Sequence, residues 1–274
     1  MTFETDIELH LLLDAIYLRY HYDFRQYSLA SLKRRLASAM SAFGARTYSQ
    51  LQDRVLREPD LFTSLLDYLT VQVSDLFRDP PYFRAMRQQV VPLLRTYPSL
   101  KVWVAGCGTG EEVYSLAILL REEGLLERTL IYATDINSRA LHRAEAGVYE
   151  IDRLPGFTDN HRQSGARASL SDYYTAAYGR AMFDKSLRRH VVFSDHSLAT
   201  DSVFAEVHLV SCRNVLIYFD RPLQDRALTL FHDALIRRGF LGLGAKESLR
   251  FSSQAAAFAE VSRQERIFRK REAA

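Results

Sequence analysis

Apolar residues recur at helical spacing through the first part of the chain. Leu9, Leu12, Leu13 and Ile16 lie three and four positions apart, as do Leu29, Leu32, Leu36, Ala39 and Phe43. Such stripes predict amphipathic helices, each burying one face. Ser28 stands where the second helix needs an N-cap, and Gly44 where it needs a stop. Phe62, Leu65, Leu66 and Leu69 mark a further helix. Residues 1–70 therefore read as a helical domain. Residues 71–98 carry Pro80, Pro81, Pro92 and Pro98 and read as a linker contributing to the site.

After residue 100 the pattern alternates. A short apolar run at 101–105 precedes a periodic stretch at 111–122, with Val113, Leu116, Ala117 and Leu120 on one face. A strand at 129–134 ends at Asp135, and a helix follows at 138–146. Further strands are expected at 190–195 and 207–212, a helix at 223–237, a glycine-rich strand at 240–244 and a last strand pair around 265–268. This alternation predicts right-handed crossovers and a mostly parallel sheet, an α/β Rossmann-like domain over 99–274. Residues of roughly 155–190 interrupt it with Pro155, Gly156, Gly165, Gly179 and several aromatics. They read as an insertion of short strands and a helix.

Composition narrows the function. With 47% hydrophobic and 25% charged residues, the 274-residue chain is globular rather than disordered. A net charge of +3 is too small to imply nucleic acid. No apolar run is long enough to span a membrane, and the acidic N-terminus does not predict a leader. Two cysteines, Cys107 and Cys212, suit a reducing cytoplasm and predict neither a disulfide framework nor a metal cluster. Between residues 25 and 52 there is no acid, while Arg25, Lys33, Arg34, Arg35 and Arg46 fall inside. That run is either a solvated helix face or a docking surface for an acidic partner.

The candidate chemistry lies where the strands end. Ala105-Gly106-Cys107-Gly108-Thr109-Gly110 is a glycine turn, and Glu111 and Glu112 open the next helix. Ligand sites of doubly wound sheets form at such strand-to-helix switches. Two acids at the helix start repel a pyrophosphate and favour a cationic or hydroxyl-bearing ligand, which points to S-adenosylmethionine. One glutamate there also has a plain structural reading, because acids at a helix N-terminus favour its dipole. Asp135 follows the second strand, where an acid commonly takes ribose hydroxyls. The third strand leads to Ser197 and Leu198, and the fourth to Cys212-Arg213-Asn214 and on to Tyr218.

In combination these segments resemble the CheR family, S-adenosylmethionine-dependent methyltransferases that esterify receptor glutamates in bacterial chemotaxis. The resemblance rests on residues 70–80, 105–115, 134–137 and 212–220, together with the basic helix at 30–36. It implies a cofactor site at Gln72, Ser74, Arg78, Ala105, Gly106, Gly108, Glu111, Glu112, Asp135, Ile136, Ser197, Leu198, Cys212, Arg213 and Asn214. Of the glutamate pair, Glu112 is favoured as the direct contact. The family often has Asn where this chain has the shorter Ser197. Arg78 is expected to hold the substrate carboxylate through its guanidinium fork. Tyr218 is expected either to donate to that carboxylate, to border the methyl group, or to pack in the core.

The resemblance further implies that the insertion is a small β-subdomain, and that Lys33, Arg34, Arg35 and Arg46 dock the cytoplasmic helical region of a chemoreceptor. The product would be S-adenosylhomocysteine, with no metal, nucleic acid or membrane insertion involved. Two other readings remain at this point: a regulatory module that binds S-adenosylmethionine without turnover, and a methyltransferase for a non-receptor acceptor.

Overall fold

The computed structural model describes residues 3–272; Met1 and Thr2, part of the acidic N-terminus, and Ala273 and Ala274 lie outside them. Four helices build the N-terminal domain: α1 (Phe3–Tyr20), α2 (Leu29–Phe43), α3 (Tyr48–Arg57) and α4 (Pro59–Leu69). Most of the predicted stripes form its core, with Leu9, Leu12, Ile16, Leu32 and Leu36 fully buried against Leu65 and Leu69, while Leu29 is exposed. Gly44 ends α2 in the left-handed conformation, as expected for a helix stop. Ser28 occupies the N-cap position, but its side chain makes no capping bond. The sequence reading missed α3, which Thr47 caps by accepting from the Gln50 N–H.

The segment 71–79 is irregular and runs into α5 (Pro80–Ala85) and α6 (Val91–Leu94), joined by a wide π turn at Met86–Val90. Pro92 has no N–H and crowds the preceding turn, so the helix widens ahead of it rather than stopping. Tyr82, Phe83, Met86 and Val90 are buried in the main core, so this half of the expected linker is packed structure.

The second domain follows as β1 (Leu100–Ala105), α7 (Glu111–Glu122), β2 (Thr129–Asp135), α8 (Ser138–Ala146) and β3 (Val148–Glu150). Next come α9 (Leu154–Gln163), β4 (Tyr174–Ala177), β5 (Arg180–Phe183), α10 (Lys185–Arg188), β6 (Val191–Asp195) and β7 (Val207–Cys212). The chain ends with α11 (Arg221–Ala234), β8 (Leu235–Leu243), β9 (Phe258–Ser262) and β10 (Ile267–Lys270). The helix expected to reach residue 237 stops at Ala234. Leu235 instead pairs with Val207 and starts a strand.

Seven strands form one sheet in the order β6-β2-β1-β7-β8-β10-β9. Its first five are parallel and the last two antiparallel. Strand alternation divides its two faces. Val102 and Val104 of β1 join the core under α7, while Trp103 and Ala105 join the core under α11. The buried Trp103 indole donates to Thr134 Oγ1 at 2.8 Å. A separate antiparallel sheet, β3-β5-β4, carries the expected insertion, but its first strand starts at Val148, upstream of 155.

Candidate active site

The chain leaves β1 toward β2 on one side, and β7 lies on the other. The strand order therefore reverses at β1 and β7, and a crevice opens at their carboxyl ends. The helical domain roofs it. Ser28 N–H donates to the Tyr218 carbonyl at 2.8 Å, Asp220 N–H to the Gln26 carbonyl at 2.9 Å, and the Tyr27 and Phe219 rings meet edge to face at 4.9 Å. From the other side Asn137 Nδ2 reaches Asp67 Oδ1 at 3.0 Å, and Arg139 pairs with Asp67 Oδ2 at 3.0 Å. The enclosed cleft holds about 950 Å³ including its open mouth.

Gly106 makes the floor possible. Its φ is +69°, and a Cβ there would meet Val215 Cγ2 at 2.5 Å. Asp135 clamps the turn from below: Oδ2 accepts from Gly108 N–H at 2.8 Å, and Oδ1 from Asn137 N–H at 2.9 Å. Burial raises the Asp135 pKa, while these backbone donors pull it down.

Adjacent positions on a helix point about 100° apart, so the two glutamates that open α7 diverge. Glu112 lines the cleft, accepting from Ser211 Oγ at 2.6 Å and pairing with Arg213 Nη1 at 3.2 Å. Glu111 does not belong to the cleft, contrary to the sequence assignment. It is fully buried, paired with Arg153 at 2.7 Å and hydrogen-bonded by Thr109 Oγ1 at 2.7 Å. Its role is to lock the turn and α9 together.

The loop after β7 forms the far wall. Arg213 is anchored by Glu112, by Asp79 Oδ2 at 2.8 Å and by the Tyr82 ring, whose centroid lies 4.0 Å from the guanidinium carbon. Asn214 adopts φ +62°, a conformation that needs support. Glu247 supplies it, although nothing in the sequence reading pointed to this residue. Its buried carboxylate accepts from Asn214, Val215 and Gly244 N–H groups at 3.1, 2.8 and 2.6 Å. Gly244 must be glycine, because a Cβ there would sit 2.7 Å from the Asn214 nitrogen. Burial raises the Glu247 pKa against these donors.

Two further assignments need correction. Cys212 is fully buried behind the wall, in the core beneath α11, and only Arg213 and Asn214 reach the cleft. Ser197 is outside the lining as well: its hydroxyl accepts from Ala199 N–H at 3.3 Å within its own turn, leaving His196 and Leu198 as the wall. Gln72, Ser74, Arg78, Ala105, Gly106, Gly108, Ile136 and Tyr218 all line the cleft. Cys107 lines it too, and burial pushes its thiol pKa well up, in keeping with a packing role.

The basic helix splits. Arg35 turns inward to the cleft, donating to the Leu69 carbonyl and lying 5.1 Å from the Tyr218 ring centroid. Lys33 is paired with Asp6 at 2.6 Å, while Arg34 and Arg46 are exposed. The four cations are therefore not one surface. Tyr27 and Arg35 are cleft residues that the sequence reading did not place there.

Arg78 stands apart. Its carbonyl accepts from Arg213, but its guanidinium has no hydrogen-bond or ion-pair partner among the described residues. Three buried polar atoms of lining residues, Gln72 Oε1, His196 Nδ1 and Arg213 Nε, also lack a partner among the described residues. A cleft with a glycine floor, a buried acid beside it and unpaired polar atoms fits a nucleoside-bearing cofactor.

The fold and cleft suit an S-adenosylmethionine-dependent methyltransferase, and comparison with known proteins establishes that class. The family model for the CheR methyltransferase SAM binding domain matches residues 72–267, and that for the CheR all-alpha domain matches residues 7–70. The chain belongs to the CheR methyltransferase family. It is 60% identical over 266 residues to "Putative methyltransferase Cher3" of Pseudomonas putida, covering 97% of each chain. It is 30% identical to the chemotaxis protein methyltransferase of Listeria innocua, covering 83% of this chain and 84% of that one. Among solved structures, the N-methyltransferase NodS of Bradyrhizobium japonicum with S-adenosyl-L-homocysteine aligns over 73% of this chain and 90% of that one, with 15% identity and a TM-score of 0.41. No described helix is long and apolar enough to cross a membrane.

Proposed function

We propose that the protein transfers a methyl group from S-adenosylmethionine to glutamate side chains in the cytoplasmic helical region of a chemoreceptor, tuning adaptation from the cytoplasm. The observation that carries this reading is the unpaired guanidinium of Arg78 at the cleft wall, beside an Arg213 whose two Nη atoms are already held by Glu112 and Asp79. A free planar fork next to a methyl-donor site suits an acceptor carboxylate.

The cofactor supplies a methyl group already activated on a sulfonium. A glutamate carboxylate is ionised near neutral pH, so no residue needs to act as a base. The work left to the chain is holding, aligning and drying. Asp135 is placed to take ribose hydroxyls with the lone pairs not used by Gly108 and Asn137. Glu112 puts negative charge on the cofactor side, held by Ser211 and Arg213. Gln72 and His196 bring their unpaired polar atoms to the same cleft. Arg78 orients the acceptor, with the Tyr218 hydroxyl as a second donor from the same wall. Alignment of this kind is worth several kcal/mol of barrier. The Tyr27 and Phe219 roof keeps water out. The exposed Arg34 and Arg46 remain as docking cations for an acidic helix.

The test is transfer of labelled methyl to receptor cytoplasmic fragments carrying Glu or Gln at the acceptor positions. Base-labile label on the Glu fragments alone supports the reading. Binding of S-adenosylmethionine with no transfer to any fragment favours a regulatory module, and base-stable label on another acceptor favours a different methyltransferase.

A further inference from the structure

Beyond the cleft, the turn Leu216–Tyr218 faces two ways. Tyr218 lines the cleft, whereas Ile217, 37% exposed, lines a neighbouring hollow with Arg221, Lys246 and Phe251. Phe251 is 74% exposed. The guanidinium carbons of Arg221 and Arg250 lie 5.1 and 5.6 Å from its ring centroid. Neither arginine, nor Lys246, has an ion-pair partner among the described residues. The acids nearby are committed elsewhere. Asp225 accepts from Ser252 and Ser253, and Glu247 is buried under the Asn214 loop. On the far side of Phe251 a second hollow adds Arg263 and Arg266 against one acid, Glu260.

An exposed aromatic ringed by unpaired cations has the composition of an interface centre, where aromatics and arginine are enriched. Its charge selects a partner rich in carboxylates. Its position is continuous with the cleft mouth through a single turn of chain, Ile217 to Tyr218.

We propose that the Phe251 surface docks the acidic helical segment flanking the acceptor glutamate, so that the substrate is held beside the cleft while its side chain enters next to Tyr218. The proposal rests on the reading that the acceptor is a receptor glutamate. An apolar side chain of that segment covers the Phe251 ring, and flanking carboxylates meet Arg221, Lys246 and Arg250.

The experiment is steady-state methylation of a glutamate-bearing cytoplasmic receptor fragment by the wild type, Phe251→Ser, Arg221→Glu/Arg250→Glu and Lys246→Glu. Acceptor KM is expected to rise roughly tenfold in the first two variants and about threefold in the third, with kcat and S-adenosylhomocysteine affinity unchanged. The salt dependence of KM should weaken in the charge variants. Cofactor affinity shows that each variant is folded, and the exposed Lys246 provides a substitution outside any packed contact. Unchanged acceptor KM in folded variants overturns the proposal. So does loss of a dimer in sedimentation without a change in KM, which would assign the surface to a second copy. Wild type that methylates no receptor fragment removes the functional reading and the proposal with it; active wild type with unaffected variants removes the surface alone.

Discussion

On the wall built from the glycine turn and the Arg213–Asn214 loop, Glu112, Asp79, Asp135 and Glu247 each already hold a partner. On the wall built from Arg78 and Tyr218, the guanidinium and the phenol hydroxyl have no hydrogen-bond partner among the described residues. The difference teaches where this enzyme invests its order. On the proposed function, the carboxylates facing the cofactor are fixed before it arrives, which spares the cost of organising them at the moment of reaction, while Gln72 Oε1 and His196 Nδ1 are left for the cofactor to meet. On the same proposal, Arg78 and Tyr218 are left free to meet the acceptor carboxylate.

The contrast can be broken most severely at Arg78. Arg78→Ala should lower kcat for methyl transfer by roughly 10²-fold or more, the scale of losing one key oriented donor, as initial rates at saturating cofactor would show. Arg78→Lys should recover little, because an ammonium does not reproduce the planar fork. On the saturated wall the effect should fall on stability instead. Glu247→Gln cannot accept all three backbone donors and should cost about 1–3 kcal/mol in denaturant unfolding.

A smaller effect separates acids under the cleft from one outside it. Burial raises Asp135 and Glu247, whereas Glu122, also buried, is held below its ordinary value of 4.5 by His161 and Arg87. A lowered acid stabilises the fold above its unfolded pKa, and that contribution is lost as pH falls through the folded one. Raised acids behave oppositely, losing their contribution as pH rises. Glu122→Gln should therefore flatten the decline of the unfolding midpoint on the acid side of pH 4.5, measured by thermal scans against the wild type.

Much of the paired wall was legible from sequence, because a parallel sheet gathers its strand ends on one edge. Position at the strand ends pointed to Asp135 and to Gly106 and Gly108 of the glycine turn, and the family resemblance pointed to Arg213; all of them line the cleft. Glu111 was misplaced because two adjacent acids look equivalent in a string, while a helix turns them apart. Cys212 fell to a similar effect: strand alternation sends it into the core, while Ser211 meets Glu112. Glu247 carried no usable signal, since its function exists only once β8 is laid beside the Asn214 loop. Tyr27 and Arg35 belong to the helical domain, and only its docking onto the sheet brings them to the cleft. The α11 boundary failed because Leu235 and Ile236 continue a helical stripe, yet sheet pairing with Val207 is the stronger constraint.

The division of labour is tested most directly by calorimetric affinity for S-adenosylhomocysteine in Asp135→Ala and Arg78→Ala side by side. The account predicts that Asp135→Ala weakens binding at least tenfold, the scale of a lost charged hydrogen bond, and that Arg78→Ala weakens it far less. Arg78→Ala losing as much cofactor affinity as Asp135→Ala would contradict it.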